Sequence, residues 1–157
     1  GFKELNELGW VRGMLPKMHS VESTGANPTY KAFEEKKDFV VLAKPGETLT
    51  YPISSIVSPV KSLIALKESG GSPLCVTDEE VLQAQKLLAC KEGIFVEPAS
   101  ASSVAGLAKA RDSVDKDETV VCTVTATGLK YPEPTLENFK LSQINASIDS
   151  IKNLNLV

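Results

Sequence analysis

The sequence predicts an α/β layered domain, helix/sheet/helix, with a mostly parallel sheet. Three observations carry that expectation. Segments with apolar residues three and four apart alternate with short, wholly apolar runs, the pattern of helices connecting buried strands. The run Thr119–Thr125 (TVVCTVT) is β-branched or apolar almost throughout, as suits an interior strand covered on both faces. Helix start and stop residues also stand where the alternation needs them.

The elements follow in chain order. Gly1–Leu8 reads as a helix with Phe2, Leu5 and Leu8 on one face, ended by Gly9 and Gly13. The chain therefore begins in mid-helix and without methionine, which predicts a piece of a longer chain. Met14–Val21 suits a short buried strand or extended segment, and Ser23–Pro28 (STGANP) a connector. Asn27 or Pro28 opens a helix reaching Lys36–Lys37, and Phe39–Ala43 (FVVLA) reads as a strand. Thr48–Pro59 has no firm pattern. Val60–Glu68 is a helix stopped by Ser69-Gly70-Gly71, and Leu74–Val76 a short strand.

Thr77-Asp78-Glu79-Glu80 has capping-box spacing: Thr77 can accept from the third helical amide while Glu80 reaches back to the cap's own N–H. The helix it opens runs to about Cys90, with Val81, Ala84, Leu87 and Leu88 on one face, and Gly93 breaks it. Ile94–Val96 is apolar enough for a buried edge or connector. Glu97-Pro98 starts the next helix, because proline at the first helical position loses no needed hydrogen bond. Its Ala, Ser and Gly106 surface through Ala110 lets it lie very close to a neighbour. Asp112–Glu118 is a charged loop, Ala126-Thr127-Gly128 ends the Thr119–Thr125 strand, and Glu137–Leu154 reads as a C-terminal helix with a frayed end. The domain reading is residues 1–133 as the α/β portion and 134–157 as a C-terminal helix or tail.

Composition narrows the function classes. With 42% hydrophobic and 24% charged residues among 157, the chain has the makings of a packed core, which excludes disorder. The formal charge of −3 (17 basic against 20 acidic residues) speaks against a nucleic-acid partner, which calls for a basic face. No apolar run approaches the roughly 18 residues of a membrane span, so no membrane partner and no secretory leader are expected. Cys75, Cys90 and Cys122, spaced 15 and 32 apart, fit no metal knuckle or redox pair. They read as three buried thiols in a reducing, cytoplasmic compartment. The single histidine, His19, has no partner for a zinc site, so no metal is expected, and no nucleophile elbow accompanies it for a hydrolytic triad.

In open α/β sheets, ligands gather at strand carboxyl ends and helix N-termini. Two places qualify: Thr125-Ala126-Thr127-Gly128 and Glu97-Pro98-Ala99-Ser100-Ala101. Small residues let a backbone approach a flat ligand, and a strand-end hydroxyl can hydrogen-bond a ring heteroatom. Taken separately, each also reads as an ordinary turn and an ordinary helix cap.

At these residues the sequence resembles a family. Lys91–Ser102 (KEGIFVEPASAS) resembles the E-G-I-F-x-E-P-A-S-A-A segment of threonine synthases. Glu68-Ser69-Gly70-Gly71 with Val76–Glu80 is similar to their S-G-G…V-T-D-E-E-I stretch, and Thr119–Pro132 to their T-V-V-x-x-x-T-G-H-G-L-K-D-P. Gly1–Leu5 resembles the helix after one of the family's glycine-rich phosphate loops. The similarity covers most of Gly1–Pro132, in order.

The resemblance implies a pyridoxal 5'-phosphate enzyme of the tryptophan synthase β fold type, converting O-phospho-L-homoserine and water to L-threonine and phosphate. The cofactor would lie between two α/β domains as a Schiff base to a lysine and act as the electron sink. Carried over residue by residue, Thr125 matches the hydroxyl beside the pyridine nitrogen, and Glu97 and Ala126 fall near the cofactor. Lys17 stands where the family tends to have a phosphate-binding arginine, keeping the charge and losing the bidentate fork. Ser58, in Val57-Ser58-Pro59, replaces the asparagine of G-N-P. Ala126-Thr127 replaces Gly-His, which puts Thr127 at the substrate edge, and Tyr131 replaces an aspartate.

The family's S-F-K lysine motif and phosphate loops have no counterpart in these residues. The expectation is therefore a C-terminal portion, with no catalytic residue of its own and inactive alone. It would need the missing N-terminal portion as partner, and family habit points to a homodimer. The alternatives are a non-catalytic binding module, or a dehydratase relative acting on another hydroxy-amino acid. A reading frame continuing upstream through an S-F-K segment discriminates enzyme from module.

Overall fold

A computed structural model of the chain describes residues 1–136 and 145–152. Its helices are α1 (Phe2–Glu7), α2 (Pro28–Glu34), α3 (Val60–Ser69), α4 (Asp78–Leu87), α5 (Pro98–Ala110), α6 (Glu133–Leu136) and α7 (Ile148–Lys152), and its strands β1 (Ser20–Ser23) and β2 (Pro73–Val76). Most of the helix expected over Glu137–Leu154 lies outside the described residues.

β1 and β2 pair in parallel, with Val21 opposite Leu74 and Glu22 opposite Cys75. Side chains alternate across a strand, so these two pairs point to opposite faces. On one face Val21 and Leu74 meet Gly106 of α5, where a Cβ would sit 2.8 Å from Val21 Cγ2. Only a glycine lets the helix come this near. On the other face Glu22 accepts the Thr29 and Tyr30 amides at 3.2 and 2.8 Å, satisfying orphan N–H groups at the start of α2. Helices thus cover both faces of the pair, as the layered reading expects.

The core lies between β2, α4 and α5: Val76, Val81, Ala84, Val96, Ala101 and Ala105, flanked by Val21, Ile53, Leu88 and Val104. The capping box at the head of α4 is formed, Glu80 N–H donating to Thr77 Oγ1 at 3.2 Å and Thr77 N–H to Glu80 Oε2 at 2.8 Å. Lys109 of α5 ties that carboxylate to the sheet, donating to the Cys75 carbonyl at 2.8 Å and pairing with Glu80 at 3.0 Å. The stretch without a firm sequence pattern holds a short 3-10 turn, Tyr51–Ile53, and a buried polar knot. There Ser23 donates to Thr48, Thr48 and Thr50 lie 2.7 Å apart, and Asp78 accepts from Thr48 and from the Leu49 amide. Gly70 and Gly93 end α3 and the π-helical turn Leu88–Glu92 with φ of 70° and 68°, conformations that favour glycine.

Several expectations are corrected. Thr119–Thr125 forms no strand: Val121 is 84% exposed, and the segment runs along α5, bonded to it through Ser103 Oγ to the Thr123 carbonyl at 2.9 Å. β-branched composition favours a strand only where a neighbouring strand completes the ladder, and among the described residues this segment has none. Phe39–Ala43 is likewise not a strand, its Val41 and Leu42 being exposed and its Ala43 N–H donating to the Ile56 carbonyl at 2.9 Å. Met14 is exposed rather than buried, and β1 starts only at Ser20. α1 forms as expected but buries none of its residues, and Trp10 just beyond it is 79% exposed. On α4, Leu87 is exposed and Gln85 is buried instead. The three cysteines are free, with Cys75 and Cys122 only half-buried and Cys90 exposed on the π-helical turn. His19 is exposed, its Nδ1 accepting the Ser72 amide at 3.2 Å.

Candidate functional site

Proline at the first position of α5 fixes the helix start, and Glu97 precedes it with extended backbone (φ −65°, ψ 154°). That extended approach lets residues 95–97 lie against residues 126–128. Glu97 N–H donates to the Ala126 carbonyl at 3.0 Å, Gly128 N–H to the Phe95 carbonyl at 3.1 Å, and Val96 and Thr127 form an antiparallel bridge. Gly128 is packed so closely on Phe95 that a Cβ would fall 2.4 Å from its ring. Thr127 Oγ1 caps the 3-10 turn Gly128–Lys130, accepting the Leu129 amide at 3.4 Å.

The turn aims Lys130 back at the helix head. Its Nζ lies 3.4 Å from Glu97 Oε2, where the glutamate side chain is 7% exposed and the lysine 59%. A buried carboxylate is thereby given an opposite charge, which burial requires. Beside it, Ser100 Oγ receives the Ala126 N–H at 2.8 Å and lies 2.8 Å from Thr125 Oγ1. Ser100 is buried and Thr125 exposed. The result is a ledge that brings together the exposed residue Thr125, small residues, and a carboxylate–ammonium pair, groups that can hydrogen-bond the edge of a flat heteroatom-bearing molecule.

Of the residues singled out from sequence, Glu97, Thr125, Ala126 and Thr127 are brought together here. Lys17 and Ser58 have their partners elsewhere. Lys17 Nζ lies 3.7 Å from Glu118 Oε1, and Ser58 Oγ accepts the hydroxyl of buried Thr29 at 2.6 Å. The sequence reading held Ser100 and Lys130 only inside longer matched segments and gave neither a role of its own. Ser100 carries a local signal, a hydroxyl at the third residue of the helix. Lys130 matches the lysine of the family's G-L-K stretch, but its approach to Glu97 depends on the 3-10 turn and is not written in the local sequence. Among the described residues no group of histidine, cysteine or acidic side chains is arranged to hold a metal ion, and no helix is long and apolar enough to cross a membrane.

Comparisons with known proteins bear on this ledge. The profile of the family described as pyridoxal-phosphate dependent enzyme matches residues 1–126, the span holding Glu97, Ser100, Thr125 and Ala126. Threonine synthase of Methanocaldococcus jannaschii is 45% identical over 140 residues, covering 87% of this chain and 34% of that protein. Threonine synthase of Methanosarcina acetivorans is 41% identical over 157 residues, covering 97% and 38%. The chain thus spans little more than a third of the length of these relatives. Among solved structures, a fungal L-serine ammonia-lyase from Rhizomucor miehei superposes with a TM-score of 0.59 at 18% identity, covering 88% of this chain and 45% of that one. Maize serine racemase gives 0.58 at 12% identity, covering 78% and 38%. At such identities the likeness concerns the fold, the tryptophan synthase β-like architecture the sequence resemblance implied.

Proposed function

Because the chain belongs to the pyridoxal-phosphate dependent enzyme family, we propose that it forms one wall of the cofactor site of an enzyme converting O-phospho-L-homoserine and water to L-threonine and phosphate. The observation that carries the reading is the convergence of Thr125, Ala126 and Ser100 on the Glu97 end of α5. The similarity to threonine synthases over 87% and 97% of the chain supports the substrate.

The residues present fit one edge of the cofactor. Thr125, an exposed residue, offers a hydroxyl to a ring heteroatom, and the small side chain of Ala126 beside it leaves room for the approach. When bound, pyridoxal phosphate supplies an electron sink for carbanions next to the amino group. Thr125, a neutral hydroxyl, would donate to the ring nitrogen without protonating it. Glu97, held by Lys130, would place a fixed negative charge at the ledge, and Thr127 would sit at the substrate edge. Lys17 is assigned to substrate phosphate and Ser58 to the substrate contact of the asparagine it replaces, which requires Lys17 to leave Glu118; that pair is exposed on both sides and weak.

The Schiff-base lysine and the phosphate loops belong to the remaining portion of such an enzyme, which is the partner this chain needs, in a homodimer in the cytoplasm. Alone, the chain is inactive. The test is an amide-shift titration of the 157-residue chain with pyridoxal 5'-phosphate, followed by an assay for threonine and phosphate from O-phospho-L-homoserine. Shifts centred on residues 97–101 and 125–128, without turnover, are expected. Shifts centred elsewhere remove the site reading, and turnover removes the reading of the chain as a dependent portion.

A further inference from the structure

We infer that Ser100 is a positioning residue that fixes the direction of the Thr125 hydroxyl, making Thr125 an outward-facing hydrogen-bond donor. The inference rests on the reading of the ledge as a ring-binding edge, and its structural half stands without it.

The direction of the Ser100–Thr125 contact depends on one hydrogen atom. A serine hydroxyl has one hydrogen to donate and two lone pairs. Ser100 Oγ accepts the Ala126 N–H at 2.8 Å, so one lone pair is used. Its remaining neighbour is Thr125 Oγ1 at 2.8 Å, a contact in which either oxygen could donate. Burial decides which does. Ser100 is 3% exposed, and among the described residues no other acceptor is bonded to its hydroxyl, so its hydrogen must go to Thr125 or stay unsatisfied in the interior. A buried donor without an acceptor is costly, whereas Thr125 is an exposed residue at the rim of a part-buried contact, where its hydrogen can turn to water or a ligand. Ser100 therefore donates, Thr125 accepts, and the Thr125 hydrogen is directed outward.

The backbone reinforces the arrangement. The Ala126 N–H points at Ser100 while the Ala126 carbonyl accepts Glu97 N–H at 3.0 Å, so the peptide carrying Thr125 is held from both sides by the first turn of α5. The chain N–H(Ala126)→Ser100→Thr125→ligand is head-to-tail, and each member polarises the next. Such a relay favours a ligand atom that accepts, an unprotonated ring nitrogen, over a protonated one or a C–H.

Two measurements test this. Neutron diffraction from deuterated crystals of the whole chain locates the deuterons directly. A deuteron on Ser100 Oγ aimed at Thr125 is expected, and one on Thr125 Oγ1 aimed at Ser100 overturns the inference, whatever the chain binds. The second compares two probes by amide-shift titration: pyridoxine 5'-phosphate, which has no aldehyde to react with lysines, and its 1-deaza analogue, with C–H in place of the ring nitrogen. The wild-type chain is expected to prefer the nitrogen ring by about tenfold, the worth of one net hydrogen bond, and Ser100→Ala to lose that preference while Thr125→Ser keeps it. A Ser100→Ala chain that retains it shows Ser100 to be structural only. A wild-type chain with no preference removes the ring-facing role of Thr125, and with it the proposed site, while the neutron result still decides the donor direction.

Discussion

Gln85 of α4, only 2% exposed, donates its side-chain amide to the Val96 carbonyl at 2.7 Å, one residue before Glu97. It also accepts the Thr135 hydroxyl at 2.9 Å, so a single core amide ties the helix, the approach to α5 and the chain beyond the ledge. Gln85→Leu keeps the volume and strands the Val96 carbonyl. A loss of about 1–3 kcal/mol is expected, read as a lowered urea midpoint by circular dichroism. An unchanged midpoint would mean that the carbonyl finds another partner.

Thr77→Ala removes one arm of the capping box and should cost about 0.5–2 kcal/mol. Glu80 supplies a pH signature. Partial burial pushes its carboxyl up, but the Thr77 amide and the Lys109 ammonium outweigh that and hold it below the usual glutamate range. Its folded pKa is depressed, so its contribution is present above the unfolded value and lost as pH falls through the folded one. Wild type should exceed Glu80→Gln in stability near neutrality, with the gap closing in the acid range. A gap that widens on acidification contradicts the assignment.

Gly106→Val tests the close approach of α5 to the β1–β2 pair. Valine restores some helix propensity, yet its Cβ alone would fall 2.8 Å from Val21 Cγ2 and 3.2 Å from Leu74 Cδ1. Overpacking of this kind costs roughly 1–3 kcal/mol. Thermal unfolding should fall, and Val21→Ala in the same chain should restore part of the loss.

The thiols should separate by reactivity with a disulfide reagent. Burial raises the Cys75 and Cys122 thiols above their ordinary range, leaving less thiolate at neutral pH, while Cys90 is exposed. One fast and two slow phases are expected, and Cys90→Ser should remove the fast one.

Legibility in the sequence followed the range of the interactions. The Thr77–Glu80 box, Pro98 at the start of α5 and Gly70 past the end of α3 are settled within a few residues, and all form as read. Thr119–Thr125 and Phe39–Ala43 have strand composition, but pairing is decided by what lies beside them, which no local pattern records. At the ledge, Glu97 and the Thr125–Gly128 turn stand in the sequence as separate signals. The Ser100 bridge that joins them spans 25 residues and becomes visible only in three dimensions.

Trp10 is the chain's only tryptophan, and its indole already faces solvent in the folded protein. Emission excited selectively at that ring should therefore change little as the core comes apart. An investigator following denaturation by intrinsic fluorescence alone would record a nearly silent curve and mistake an optically blind chain for one that never melts.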